Sequence, residues 1–281
     1  MFFRLALVAA GLCWCVMAVA RCSRPIVAPA SSLGKMVSVD AARGQAWGIY
    51  PDLLRDYGAR TGCSFTFPVV PRARAEVLVQ KGEADVLLGA VKVSQRDAWG
   101  TFVPMLGSDW VLISHAGAAP PRSIQALLDQ PHIKFNAVRG FNAGPAYLEM
   151  LAGLERRGEL EYVNDTQTIV RKMAAGRVDF TVMPSHTFAG ALDELPPDQR
   201  IAVHYSRLDG LPPAVIGVYL SKEMPAADAA EVTSLLQQIR ASNGLLAGLR
   251  RYFTPEQMAS SYALPAPEAA AAPSPQMPRA H

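Results

Sequence analysis

The residues best placed to do chemistry in this chain are basic. Lys92 and Arg96 share one loop just after the apolar run Val86-Leu87-Leu88. A guanidinium there can fork onto a carboxylate with two parallel N–H donors, and Lys92 adds a point charge beside it. Arg72 and Arg74 follow Pro71 in a segment that reads as the first turn of a helix. Two cations there oppose the helix dipole, which points to a role for one of them, and Arg74 is the one assigned to the site. Further along, Gly140-Phe141-Asn142-Ala143-Gly144 runs directly into Pro145 and a helical pattern. The free N–H groups of such a helix start suit an anion or a carbonyl. Trp47, Tyr50 and Phe141 offer aromatic faces for stacking. The expected ligand-binding set is therefore Arg96, Lys92, Arg74, Tyr50, Phe141 and Asn142, for a small polar or anionic solute.

Other chemistries find little support. The chain has no Gly-x-Ser-x-Gly elbow, His-Glu-x-x-His helix, P-loop or Gly-x-Gly-x-x-Gly turn. Its five histidines are scattered without metal-ligand spacing, so no metal or cofactor is expected. A formal net charge of +3, with no basic run, argues against nucleic acid as a partner. An active site assembled from separated carboxylates stays open as an alternative.

The elements that must hold these residues repeat. Val77 to Arg96 reads as the end of a helix, a stop at Gly82, a buried strand Asp85–Ala90 and the basic loop. The continuous apolar run is the pattern of a parallel strand covered on both faces. Ligands of open α/β sheets sit beyond the carboxyl ends of such strands. The unit recurs 94 residues later, with Gly176 for Gly82 and Asp179 for Asp85. Two such units in 281 residues suggest two similar α/β lobes. Helices are expected from Tyr50 to Gly62, from Pro71, at Ser123–Asp129, from Pro145 to about Arg157, and at Thr166–Ala175. Two more, Ala226–Arg240 and Leu245–Tyr252, follow a buried strand at Ala214–Leu220. The stretch from Ala30 to Gly48 reads as irregular, and the break at Ala116–Pro121 as the first crossing between lobes.

The ends of the chain carry their own signals. Arg4, the apolar stretch Leu5–Val19 and Ala18-Val19-Ala20 make residues 1–20 a cleaved export signal. An uncleaved membrane anchor is the alternative. Cys13 and Cys15 leave with that signal, and Cys22 and Cys63 form an even pair in an oxidising compartment, favouring a disulfide. Residues 263–281 are an Ala/Pro-rich tail expected to be disordered.

Several segments together resemble a known family. GIYPDLL (48–54), FPVVPRAR (67–74), GEADVLLGAVKVSQR (82–96), VRGFNAG (138–144), GRVDF (176–180) and SNGLLAGLRRYF (242–253) are similar to the periplasmic solute-binding proteins of the polar amino-acid ABC-transporter type, family 3. The resemblance implies a type II periplasmic binding fold, two α/β lobes joined by two crossover strands that form a hinge. Lobe 1 would be 21–114 plus 209–262, and lobe 2 would be 115–208. It implies a monomer in the periplasm that presents a carboxylate-bearing solute to an inner-membrane ABC permease. It also implies that Arg96 holds that carboxylate, so that Arg96→Ala would abolish binding with little loss of fold. In amino-acid binders an aspartate after the second-lobe strand takes the ammonium. Here that place is Met183-Pro184-Ser185, and the usual threonine before the arginine is Val93. The alternatives are a fold-related dehydratase or other lyase, a ligand-sensing module, or a protein-contact module.

Overall fold

The computed structural model describes residues 21–116, 119–255, 257–258, 261–262 and 264. Residues 1–20, expected to be an export signal, and nearly all of the Ala/Pro-rich tail lie outside the described residues. After the short strand β1 (Ile26–Val27), the segment read as irregular forms a hairpin, β2 (Ser38–Asp40) with β3 (Gln45–Trp47). Helix α1 (Ile49–Thr61) stops at Gly62, which takes the left-handed conformation that a side chain would resist. Strand β4 (Phe65–Thr66) pairs parallel to β1, and Pro71 then starts α2 (Arg72–Gln80). Gly82, with φ of 70°, turns the chain into β5 (Val86–Val91). A single helical turn, α3 (Ser94–Asp97), carries Arg96, and β6 (Gly100–Ser108) follows.

The second half repeats the scheme with caps that the sequence announces. Strand β7 (Val111–His115) leads to α4 (Ile124–Leu128), where the Ser123 hydroxyl accepts from the Ala126 N–H at 3.0 Å. Then come β8 (Phe135–Val138), α5 (Pro145–Arg156), β9 (Leu160–Val163) and α6 (Thr166–Ala174). Asp165 caps α6 by accepting from the Thr168 N–H at 2.7 Å. Strand β10 (Phe180–Met183) is followed by α7 (Ser185–Asp193), a buried helix that the sequence reading does not contain. Strands β11 (Val203–Arg207) and β12 (Ala214–Ser221), helices α8 (Ala226–Ala241) and α9 (Gly244–Leu249), and β13 (Ser261–Tyr262) complete the order.

Two larger sheets organise the lobes. One runs β13-β6-β12-β5 with antiparallel pairings, and the other runs β11-β7-β10-β8-β9 with β8 parallel to both its neighbours. The ladder of β5 is therefore antiparallel, against β12, rather than parallel as its apolar run suggested. Burial on both faces produces that run whichever way the neighbour points. Strand β7 already pairs within the second sheet, so the chain leaves the first sheet between Ser108 and Val111, ahead of the break at 116–121. It returns between Arg207 and Ala214. These two short passages are the hinge of a two-lobed α/β fold.

Three features tie the lobes or their ends together. The Cys22–Cys63 disulfide is formed, with its Cα atoms 4.9 Å apart, and it anchors the start of the described chain to the segment after α1. The loop before β2 meets α7 where Gly34 and Gly190 pack backbone to backbone; a Cβ on Gly190 would lie 2.6 Å from the Lys35 nitrogen. Near the carboxyl end, β13 lies along β6, while the Ser261 hydroxyl sits 2.9 Å from Nδ1 of His186 in α7. The Ser185 hydroxyl also donates to the Gln257 carbonyl at 2.6 Å.

Candidate ligand site between the lobes

The ends of β5 and α2 from one lobe and the β8–α5 turn and α7 from the other enclose a small cavity of about 40 Å³. Its polar heart is built on α2. In a helix, residues at i, i+3, i+4 and i+7 share a face, so Arg72 lies on the same side as Ala75, Glu76 and Val79. Ala75 and Val79 are fully buried against β5 and β12, and this packing pulls Arg72 inward. Arg72 is 4% exposed; one Nη donates to the Leu88 carbonyl at 2.6 Å, and its Nε has no partner. Burial, reinforced by the neighbouring Arg96 and opposed by Glu76, pushes its pKa down to about 10. It is still charged at neutral pH.

Arg96 is more deeply committed. It is 2% exposed, and its Nε and one Nη fork onto the two Glu76 carboxylate oxygens at 2.9 and 2.8 Å. The other Nη donates to the Val91 carbonyl at 3.1 Å. The Glu76-bound Nη also reaches the Gly140 carbonyl in the second lobe at 3.2 Å, a direct bond across the cleft. Two guanidiniums thus face one carboxylate, and the cluster holds one net positive charge in a largely dry setting.

The rest of the lining is mostly apolar, with a few donors. Tyr50 is buried, and its hydroxyl has no partner; burial raises its pKa, so it stays a protonated donor. Trp110 packs edge-on to Phe141 and tilted against Tyr147, with its indole Nε1 unpartnered. Asn142 uses its carbonyl on its own turn, accepting from the Gly144 N–H at 2.8 Å. Leu33, Met36, Leu106 and Ile216 supply the apolar wall, and among the described residues no Asp or Glu lines the cavity.

Of the residues expected from the sequence, Arg96, Tyr50, Phe141 and Asn142 come together here. Lys92 and Arg74 do not. Lys92 is exposed, because alternation along the strand end turns it away from the cleft. Arg74 stands at the surface, pairing with Glu83 at 3.6 Å, because it lies two residues round the helix from the buried face. Trp47 is also a surface residue. Sequence reasoning missed Arg72, Glu76, Trp110 and His186. The spacing of Arg72 with Ala75 and Val79 is a signal that separates it from Arg74. Nothing local in the sequence announces the pairing of Glu76 with Arg96, twenty residues apart. Among the described residues no group of three or more His, Cys, Asp or Glu side chains is arranged to hold a metal ion.

Comparison with protein-family models and with curated sequences gives no match. Solved structures do match, at low sequence identity. A histidine kinase sensor domain with similarity to periplasmic binding proteins superposes with a TM-score of 0.66 at 16% identity, covering 83% of this chain and 97% of that one. EhuB in complex with hydroxyectoine gives a TM-score of 0.65 at 19% identity, covering 84% of this chain and 91% of that one. The amino acid ABC transporter substrate-binding protein AbpA from Streptococcus pneumoniae, bound to L-arginine, gives 0.64 at 18% identity, covering 81% and 93%. The chain therefore has the two-lobed type II fold of periplasmic binding proteins, similar to that of amino-acid ABC-transporter substrate-binding proteins.

Proposed function

We propose that this chain is an exported solute-binding protein whose lobes close on a small polar, carboxylate-bearing solute and present it to an inner-membrane ABC permease. One observation carries the reading. The cavity at the lobe junction gathers buried guanidiniums from one lobe against the turn of the other, with positive charge in excess. In such a clamp the ligand stabilises the closed form, and closure is what a partner recognises. Residues 1–20 direct export to the periplasm, and the protein works as a monomer. No helix among the described residues is long and apolar enough to cross a membrane. The fold match to a sensor domain supports a second partner class, a sensor kinase reading the same closure. Turnover has less support, because among the described residues no carboxylate lines the cavity and His186 is tied to Ser261.

Small-angle X-ray scattering of the exported protein tests the reading. The dialysed protein should be more extended than the closed structure, contract on adding a bound small acid, and return that acid unchanged. Neither contraction nor a thermal shift with any small acid, amino acid or compatible solute would refute it. Conversion of the acid would instead establish an enzyme.

A further inference from the structure

We infer that the cavity selects a small monoanionic acid with an apolar body and no ammonium group, and that Arg72 rather than Arg96 grips its carboxylate. The inference rests on the solute-binding reading above and specifies its ligand.

Three observations converge. First, the fork of Arg96 is filled: both edges of its Nε–Nη pair bind Glu76, and its other contacts are the Val91 and Gly140 carbonyls. A ligand carboxylate would have to displace a carboxylate that the protein itself supplies. Arg72 has a charge of its own, a cavity position, and a buried Nε–H without an acceptor. An unpaired buried donor is the group that gains most from an incoming oxygen.

Second, the charge balance sets the ligand charge. Glu76 neutralises one of two buried guanidiniums, so one negative charge completes the cluster and two would overshoot it. Third, the other partnerless side-chain groups that line the cavity are the Trp110 indole N–H, a donor only, and the Tyr50 hydroxyl, which can donate as well as accept, and both can serve an acceptor oxygen. An ammonium would lie beside two guanidiniums in a cavity without a lining carboxylate, and against Leu33, Met36, Leu106 and Ile216. Those same residues suit an apolar ligand body. The cavity of about 40 Å³ favours a small acid.

Matched compounds test this directly by calorimetric titration of the dialysed, exported protein. One set is 4-methylpentanoate, its amide and leucine; the other is 3-phenylpropionate, its amide and phenylalanine. Within each set the carbon skeleton is constant, and only the charge or the ammonium changes. At least one acid should bind at least ~10-fold more tightly than both its amide and its amino acid. Arg72→Met should weaken that acid by ~10-fold or more, with circular dichroism showing that the variant folds. Arg72→Lys, which keeps the charge and loses the fork, should weaken it less. Tighter binding of leucine or phenylalanine would overturn this inference and leave the solute-binding reading standing. So would undiminished acid binding by Arg72→Met. Absence of binding by all six compounds would overturn the inference. Absence of contraction or thermal shift with every solute class would overturn the reading beneath it as well.

Discussion

Replacing Arg96 with methionine removes a guanidinium that makes four hydrogen bonds inside the closed cleft, two to Glu76 and one each to Val91 and Gly140. Removing one partner of a buried ion pair typically costs about 3–5 kcal/mol, because the other charge is left uncompensated. The Glu76 side chain is 23% exposed, against 2% for Arg96, so water can recover part of that loss. Arg72 nearby recovers some more. The lower end, about 3 kcal/mol, is therefore expected. For a chain of this size that lowers the melting temperature by about 6–12 °C. Differential scanning calorimetry of the ligand-free protein measures it. The double variant Arg96→Met/Glu76→Gln supplies the control: with the stranded carboxylate neutralised, part of the loss should return, giving a positive coupling between the two sites. An Arg96→Met protein that melts like the wild type would refute the assignment of Arg96 to a structural pair. It would restore the role that the sequence resemblance implies, a ligand grip dispensable for folding.

Other expectations follow from particular contacts. Cys22→Ser/Cys63→Ser should lose about 3–4 kcal/mol in urea denaturation, from the loop-closure term for residues 41 apart, and equal midpoints would show that the bridge does not constrain the unfolded chain. His186 is buried neutral, with its pKa pushed down to about 4 by desolvation from 6.5. The unfolded chain takes up that proton first, so as pH falls from 6.5 to 4 the fold loses about 3 kcal/mol at this site. His186→Gln should flatten that part of the pH–stability curve, and identical slopes would remove His186 from the account. A Cβ on Gly107 would lie 2.0 Å from the Tyr262 ring, so Gly107→Ala should release β13 from β6. Limited proteolysis should then cut near residue 260 faster than in the wild type, and unchanged cleavage would argue against that packing.

How much of this was legible in the sequence depends on the range of the interaction. Local punctuation read well. Gly62 and Gly82 end their helices in left-handed conformations, and Pro145 opens α5 after Gly144. The apolar run before Arg96 is a buried strand, as its composition requires. Longer-range facts did not read. The direction of β5's neighbour depends on β12, more than a hundred residues later, and the hairpin at 38–47 depends on packing in a region of polar and small residues. Helix α7 is made of small and mixed residues without an amphipathic stripe, and it is buried from Ser185 to Ala191 by packing that no local pattern announces. The site shows the same division. The basic loop and the helix start both border the cavity between the lobes, whereas which of Arg72 and Arg74 enters it turns on the inward face of α2. The filling of Arg96's fork turned on a tertiary ion pair. The cavity lies where the two lobes meet, and the charge balance within it comes from these side chains.

The central claim is that the cleft between the lobes holds a small acid on Arg72. The most direct measurement is a crystal structure of the exported protein grown with saturating 4-methylpentanoate. The expected structure has closed lobes, with the carboxylate within hydrogen-bonding distance of Arg72 Nε and the Tyr50 hydroxyl, and the Arg96–Glu76 fork intact. An acid bound to Arg96 with Glu76 swung away would contradict it. So would an empty cleft with the acid in the groove of about 750 Å³ between β6 and helices α8 and α9.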